Sequence, residues 1–188
     1  NDHSVWILQS RYLAHHGWNV LAVDLPGHCR SGGEAPSTVE EAARFIAALL
    51  DAAGVQRAVI VPPSPAGDSN LCALEAAARY PDRFRVMGRF DPVQPHARLA
   101  LEGWLADPLM AGIRMTFYKP AWTQWLDDST LDAFWADCER LNIPLMLLIP
   151  GRLDVVARVA HRHPGLNLIV DHLGLHSHLR DAACEPDI

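Results

Sequence analysis

The run Leu145-Met146-Leu147-Leu148-Ile149 is apolar at every position, and Asn142-Ile143-Pro144 leads into it by ending the helical pattern that precedes it. A strand with one wet face alternates polar and apolar residues. A run without alternation suits a strand covered on both faces, as in parallel sheets flanked by helices. Ala58-Val59-Ile60-Val61 has the same character. Working outward from these two runs, strands are expected over residues 18–24, 57–61, 84–90, 112–117, 144–149 and 167–171. Helical periodicity fills the intervals 38–53, 69–80, 96–106, 129–141 and 153–163. Ser37/Glu40 and Thr38/Glu41 both fit a capping box, and Ser129 precedes Asp132 at the spacing of a helix-start carboxylate. Tyr80-Pro81 and His163-Pro164-Gly165 stop their helices with residues that cannot continue them.

Strands that alternate with helices in this way build βαβ units and a mostly parallel sheet, so the fold class is α/β. From Arg57 onward strands start at 57, 84, 112, 144 and 167. That spacing approaches the unit of a (β/α) barrel, in which eight units take about 250 residues. Five or six units are visible, so a barrel reading leaves part of the barrel outside this chain. Periodicity alone leaves both an open doubly wound sheet and a barrel standing.

Composition narrows the function classes. Of 188 residues, 49% are hydrophobic and 20% charged, which permits a buried core and lies outside the range of disordered chains. Sixteen Lys and Arg against 22 Asp and Glu give a formal charge of −6, with no basic stripe to neutralise phosphates, so no nucleic-acid partner is expected. No apolar run reaches the roughly 18 residues of a membrane span, and Asn1-Asp2-His3-Ser4 lacks the flank of a signal peptide. No membrane partner and a cytoplasmic location are therefore expected. Cys29, Cys72, Cys138 and Cys184 form no C-x-x-C pair and read as buried or idle thiols.

Several spaced motifs carry a family resemblance. They are 61–70, Val-Pro-Pro-Ser-Pro-Ala-Gly-Asp-Ser-Asn; Tyr80-Pro81-Asp82-Arg83-Phe84-Arg85; Asp91-Pro92; Gly112-Ile113-Arg114; His163-Pro164-Gly165; and Asp171-His172-Leu173-Gly174. In this order, over about residues 57–174, the chain resembles the amidohydrolase-related family, and within its amidohydrolase 2 group the lactonase-like and decarboxylase-like branch. The resemblance implies a partial (β/α) TIM-type barrel and an enzyme that hydrolyses a small, carboxylated lactone, ester or amide. It implies that His172 is a metal ligand or a catalytic group facing the substrate carbonyl, that Arg114 binds the substrate acid, and that Ser64 and Asn70 contact substrate. A divalent metal such as zinc is the implied cofactor. The family's N-terminal H-x-H pair has no counterpart, since His15 and His16 are adjacent.

Residues 1–55 differ in character. Gly17-Trp18-Asn19-Val20-Leu21-Ala22-Val23-Asp24-Leu25-Pro26-Gly27-His28 and Arg30-Ser31-Gly32 are similar to the early part of an α/β-hydrolase. The chain thus divides into an α/β-hydrolase-like segment 1–55 and an amidohydrolase-like partial barrel 56–188. An α/β-hydrolase would next carry a G-x-S-x-G elbow. Here Ser64 stands in Pro62-Pro63-Ser64-Pro65-Ala66, without the flanking glycines and followed by a proline that has no N–H for an oxyanion hole. A serine esterase with a degenerate elbow and a non-catalytic remnant that binds a small acid or assembles into a dimer are the alternatives.

The residues themselves support part of this chemistry. His172 ends a strand, and catalytic groups in parallel α/β folds collect at the carboxyl ends of strands; the competing reading is a structural histidine. Strand alternation puts Asp171 on the opposite face from His172, as a loop anchor or cap rather than its partner. Arg114 lies within an apolar strand and must be paired, either with a carboxylate of the fold or with a substrate acid. Asp68 and Asn70 suit the cap of the following helix. His161 and His163 spell H-x-H at a helix end, and His176 and His178 spell it near the C-terminus. Trp122, Trp125, Phe134 and Trp135 suggest core or a lid. Open sheet edges in an incomplete barrel would favour self-association into a homo-oligomer.

Overall fold

The computed structural model describes residues 7–20, 22–62 and 69–175, apart from the side chains of residues 8, 9, 39 and 42. The chain divides between Gln56 and Arg57 into two compact units. The first contains helices α1 (Ile7–His15) and α2 (Val39–Ala52). Helix α2 begins with one bond of the capping box, Thr38 Oγ1 accepting the Glu41 N–H at 3.1 Å, while Glu41 Oε2 reaches one residue beyond the cap to accept the Ser37 N–H at 2.8 Å. Helix α1 was not expected, and it places His15 and His16 at an exposed helix end.

The strand expected over residues 18–24 is not formed among the described residues there. Trp18 is 68% exposed, and Val20 and Val23 are exposed too. A lone extended segment leaves its backbone groups to water, so an apolar run without a neighbouring strand has little reason to become one. From Asp24 the chain instead runs into a pinned loop. Ser31 Oγ donates to the Asp24 carbonyl at 2.7 Å, and Gly27, at φ 69°, lies so close to the Ala35 backbone that a Cβ there would collide with it.

The second unit is a five-stranded parallel sheet in sequential order. Its elements are β1 (Ala58–Ile60), α3 (Leu71–Ala78), β2 (Phe84–Arg89), α4 (Ala97–Glu102), a 3₁₀ turn (Trp104–Ala106), β3 (Met110–Thr116), α5 (Pro120–Gln124), α6 (Asp132–Arg140), β4 (Leu145–Leu148), α7 (Leu153–Arg162) and β5 (Leu168–Val170). Consecutive strands that are parallel neighbours, each crossing over through helix, curl into half of a barrel. The α/β reading therefore holds, and the barrel is the correct one of the two architectures that periodicity left standing.

The two faces of this sheet differ. Ile113 and Met115 of β3 and Phe117 just after it, with Leu145 and Leu147 of β4 and Ile149 just after it, pack against Leu131, Phe134, Trp135 and Cys138 of the α6 region and Val155 and Val159 of α7. Strand alternation sends Arg114, Thr116, Met146 and Leu148 to the other, concave face. Two glycines let β2 and β3 sit close to their neighbours. A Cβ on Gly88 would come within 2.7 Å of the Trp104 ring, and one on Gly112 would strike the Pro144 carbonyl. That carbonyl accepts the Ile113 N–H at 2.9 Å, so the close approach belongs to the β3–β4 pairing itself.

The loop from α7 to β5 is latched by a carboxylate. Glu139 Oε2 lies 2.9 Å from His163 Nδ1, and Glu139 Oε1 accepts the Gly165 N–H at 2.8 Å. The His163 hydrogen bond first, and the Gly165 amide second, hold the Glu139 carboxyl below its ordinary 4.5. A carboxyl depressed in the folded state adds stability above its unfolded pKa, and that contribution disappears as pH falls through the folded value. Glu139→Gln is therefore expected to lower the urea midpoint near pH 6, by an amount that shrinks as pH falls below the ordinary carboxyl range. A loss that does not change with pH would remove the carboxylate from the account.

Candidate active site

The carboxyl ends of β2 and β3 open into a cleft of about 280 Å³, lined by Arg89 to Val93, Arg114 to Thr116, Trp122 and Trp125. The sheet register explains two of these groups. A bulge sets Met110 and Gly112 opposite the consecutive pair Val86 and Met87, and beyond it Arg89 pairs directly with Arg114. Residues paired across parallel strands share a face, so two buried arginines stand side by side on the concave side. Arg89 gives the same signal as Arg114, a cation inside an apolar strand run, and that signal had marked only Arg114.

Arg114 is held by the fold. Its Nη2 and Nε donate to Asp171 Oδ2 at 2.7 and 3.2 Å, and its Nη1 donates to Thr116 Oγ1 at 2.8 Å. Of the two partners that the sequence allowed, a carboxylate of the barrel is therefore present. Asp171 comes from the end of β5, two strands away across β4.

The expected separation of Asp171 from His172 is not observed. The other oxygen of the same carboxylate, Oδ1, lies 3.4 Å from His172 Nε2. Alternation applies only within a strand, and β5 stops at Val170. The chain then makes a left-handed turn, with φ 51° at His172, 55° at Leu173 and 70° at Gly174. This turn brings the imidazole back beside the carboxylate that precedes it. For the two residues with a Cβ, this conformation costs roughly 1–2 kcal/mol each, and such strain persists only where the surroundings impose it. Here Arg114 grips one end of the turn, and the Gly151 N–H donates to the Gly174 carbonyl at 2.8 Å at the other. A Cβ on Gly174 would meet Leu153 at 2.6 Å.

Asn70 does not cap α3: it occupies the cap position, and no side-chain cap hydrogen bond forms. Instead its amide clamps the end of β2, with Oδ1 accepting the Arg89 N–H at 2.8 Å and Nδ2 donating to the Arg89 carbonyl at 3.0 Å. These two bonds act as a short extra rung on the strand that carries Arg89. Ser129 likewise leaves its helix uncapped by a side chain, and α6 starts after Leu131. Ser64, Asp68, His176 and His178 lie outside the described residues. Phe134 and Trp135 are core, whereas Trp122 and Trp125 form a wall of the cleft. Lys119 Nζ lies 4.3 Å above the Trp122 ring. Cys138 is fully buried, and burial, helped by Asp137, pushes its thiol up to about 12, which leaves it unreactive. Cys29 and Cys72 are exposed.

No group of three or more His, Cys, Asp or Glu converges among the described residues. His161 is exposed, His163 is taken by Glu139, and Asp171 is shared between Arg114 and His172. These residues do not fit a metal centre, which needs three or four converging ligands. No described helix is long and apolar enough to cross a membrane.

With this geometry in place, comparison with known proteins is informative. A family model described as amidohydrolase matches residues 15–184. An L-fucono-1,5-lactonase from Burkholderia ambifaria is 30% identical over 128 residues, which is 66% of this chain and 43% of the lactonase. An uncharacterised TIM-barrel protein from Bordetella bronchiseptica superposes with a TM-score of 0.57 at 20% identity, over 88% of this chain and 58% of that one. A 5-carboxyvanillate decarboxylase from Novosphingobium aromaticivorans, with manganese and 3-methoxy-4-hydroxy-5-nitrobenzoic acid bound, superposes with a TM-score of 0.53 at 20% identity, over 74% of this chain and 55% of that one. The chain spans about half the length of these relatives.

Proposed function

Because this chain belongs to the amidohydrolase family, we propose that the cleft at the carboxyl ends of its strands hydrolyses a small lactone, ester or amide that carries a carboxylate. One observation carries the reading. The buried Arg114 lines the cleft, and the carboxylate that holds it, Asp171, also lies 3.4 Å from the His172 imidazole. The lactonase relative supports the choice of a cyclic ester, and the aromatic acid bound to the decarboxylase supports an acidic ligand.

In this reading Arg114 binds the substrate carboxylate through N–H groups left over from Asp171 and Thr116. A guanidinium has five donors, and three are engaged within the fold. Trp122 and Trp125 cover the substrate's apolar part and exclude water from it. Water attacks the carbonyl carbon, a C–O bond forms, and the ester C–O or amide C–N bond breaks. His172 takes the proton from water and returns it to the leaving oxygen or nitrogen, while Asp171 stabilises the imidazolium between the two transfers. No step runs through a metal, since the described residues do not assemble one.

The test is turnover of carboxylated lactones by the purified chain, with metal content measured on the same sample. Turnover above buffer is expected, with His172→Ala lowering kcat at least about 100-fold. An absence of turnover, or an undiminished rate in His172→Ala, would overturn the assignment. Labelling of Ser64 by an organophosphonate would instead point to a serine esterase, and none is expected.

A further inference from the structure

We propose that Asp171 is a positioning residue that sets the tautomer of His172, holding the imidazole proton on Nε2. The assignment rests on the reading of His172 as the group that faces the substrate carbonyl, but its geometry and its test are independent of turnover. Three observations lead to it. Oδ1 of Asp171 lies beside Nε2, and a carboxylate oxygen can only accept, so the contact is favourable when Nε2 carries the proton. The carboxylate cannot rotate to reverse the arrangement, because Oδ2 is fixed by two donors of the buried Arg114, and Thr116 fixes the guanidinium in turn. The backbone reinforces this. Consecutive left-handed residues at 172 and 173 are what turn the ring back toward the carboxylate, and a right-handed or extended exit from β5 would carry the ring away.

The consequence for the chemistry is specific. With the proton held at Nε2, the lone pair of the neutral ring is on Nδ1. Arg114 then has two duties: it binds the acid, and it locks the carboxylate that sets the base. A substrate carboxylate arriving at the guanidinium therefore competes with, or tightens, the contact that orients His172. Binding of the acid and readiness of the imidazole are coupled through one oxygen pair.

The test is ¹H–¹⁵N imidazole spectroscopy of the full chain with ¹⁵N-labelled histidine, with the His172 signals identified by their loss in His172→Gln. The parent is expected to show protonated Nε2 and unprotonated Nδ1 in the neutral ring, with the Nε2 proton slowed in exchange with water by the carboxylate. In Asp171→Asn the amide must turn its carbonyl to Arg114 and its NH2 to His172, so the pattern is expected to invert to protonated Nδ1. A parent ring protonated on Nδ1, an unslowed Nε2 proton, or a pattern that Asp171→Asn leaves unchanged would each overturn the proposal. The parent spectrum decides it even if Asp171→Asn does not fold. A chain that shows the expected spectra without turning over lactones would keep this assignment and lose the hydrolase reading. The reverse result would do the opposite.

Discussion

Asp171→Ala is expected to destabilise the strand unit by about 3 kcal/mol, the low end for removing one partner of a buried ion pair. Arg114 is buried and Asp171 only partly exposed, with side-chain exposures of 10% and 20%, so water replaces the lost carboxylate poorly. The low end applies because Arg114 lines the cleft rather than the helix-facing core, and Asp171 keeps some exposure to water. Removing both charges is expected to recover most of the loss: Arg114→Met/Asp171→Ala should return to within about 1 kcal/mol of the parent, since no unpaired charge is left behind. The double-mutant cycle is read from urea unfolding followed by tryptophan fluorescence, as Trp104, Trp122, Trp125 and Trp135 all lie in this unit. Additive losses, with the double variant as unstable as the sum of the singles, would mean that the two groups are not coupled in the folded chain. If the double variant recovers most of the loss, the pair adds little net stability, which favours a role in the site beside its strained turn.

Much of this arrangement could be read from residue order, for reasons specific to each element. Leu145 to Ile149 announced a strand, because an unbroken apolar run suits a sheet with little wet surface; Leu145 and Leu147 are buried, and Met146 and Leu148 on the other face are half-buried. Thr38 and Glu41 announced the start of α2, because their partners are three and four residues away and the bonds are local. The apolar run from Trp18 to Asp24 misled, because strand formation depends on a neighbour that lies elsewhere in the chain. The partnership of Asp171 and His172 was hidden for a different reason. It depends on where β5 stops, and a shift of one residue in that end decides whether alternation or a left-handed turn governs the pair. Asn70 reads as a cap by residue type, and its clamp on Arg89 becomes visible only once β2 lies next to it. Spacing within the sequence thus identified the cation in the strand, whereas its carboxylate partner 57 residues away required the folded sheet.

The two faces of the sheet should differ most sharply in their tolerance of substitution. Ile113 is fully buried among side chains from β4, α6 and α7, and Ile113→Ala is expected to cost about 3–4 kcal/mol, the transfer of the lost carbons plus the cavity they leave. Collapse into that cavity is limited, because Gly112 beside it already touches the Pro144 carbonyl and the strands cannot close further. Val59 and Ile169 stand in the edge strands β1 and β5, 52% and 44% exposed. Val59→Thr nearly preserves shape and β-branching, and where water already reaches the side chain it is expected to change stability by less than about 0.5 kcal/mol. If the two substitutions cost the same in urea unfolding, the core would not lie on the helix-facing side of the sheet. The difference bears on function as well as on folding. Stability concentrated on the helix-facing side leaves the concave side free to carry groups that a core would reject, and Arg89, Arg114 and Thr116 are buried polar residues on that side.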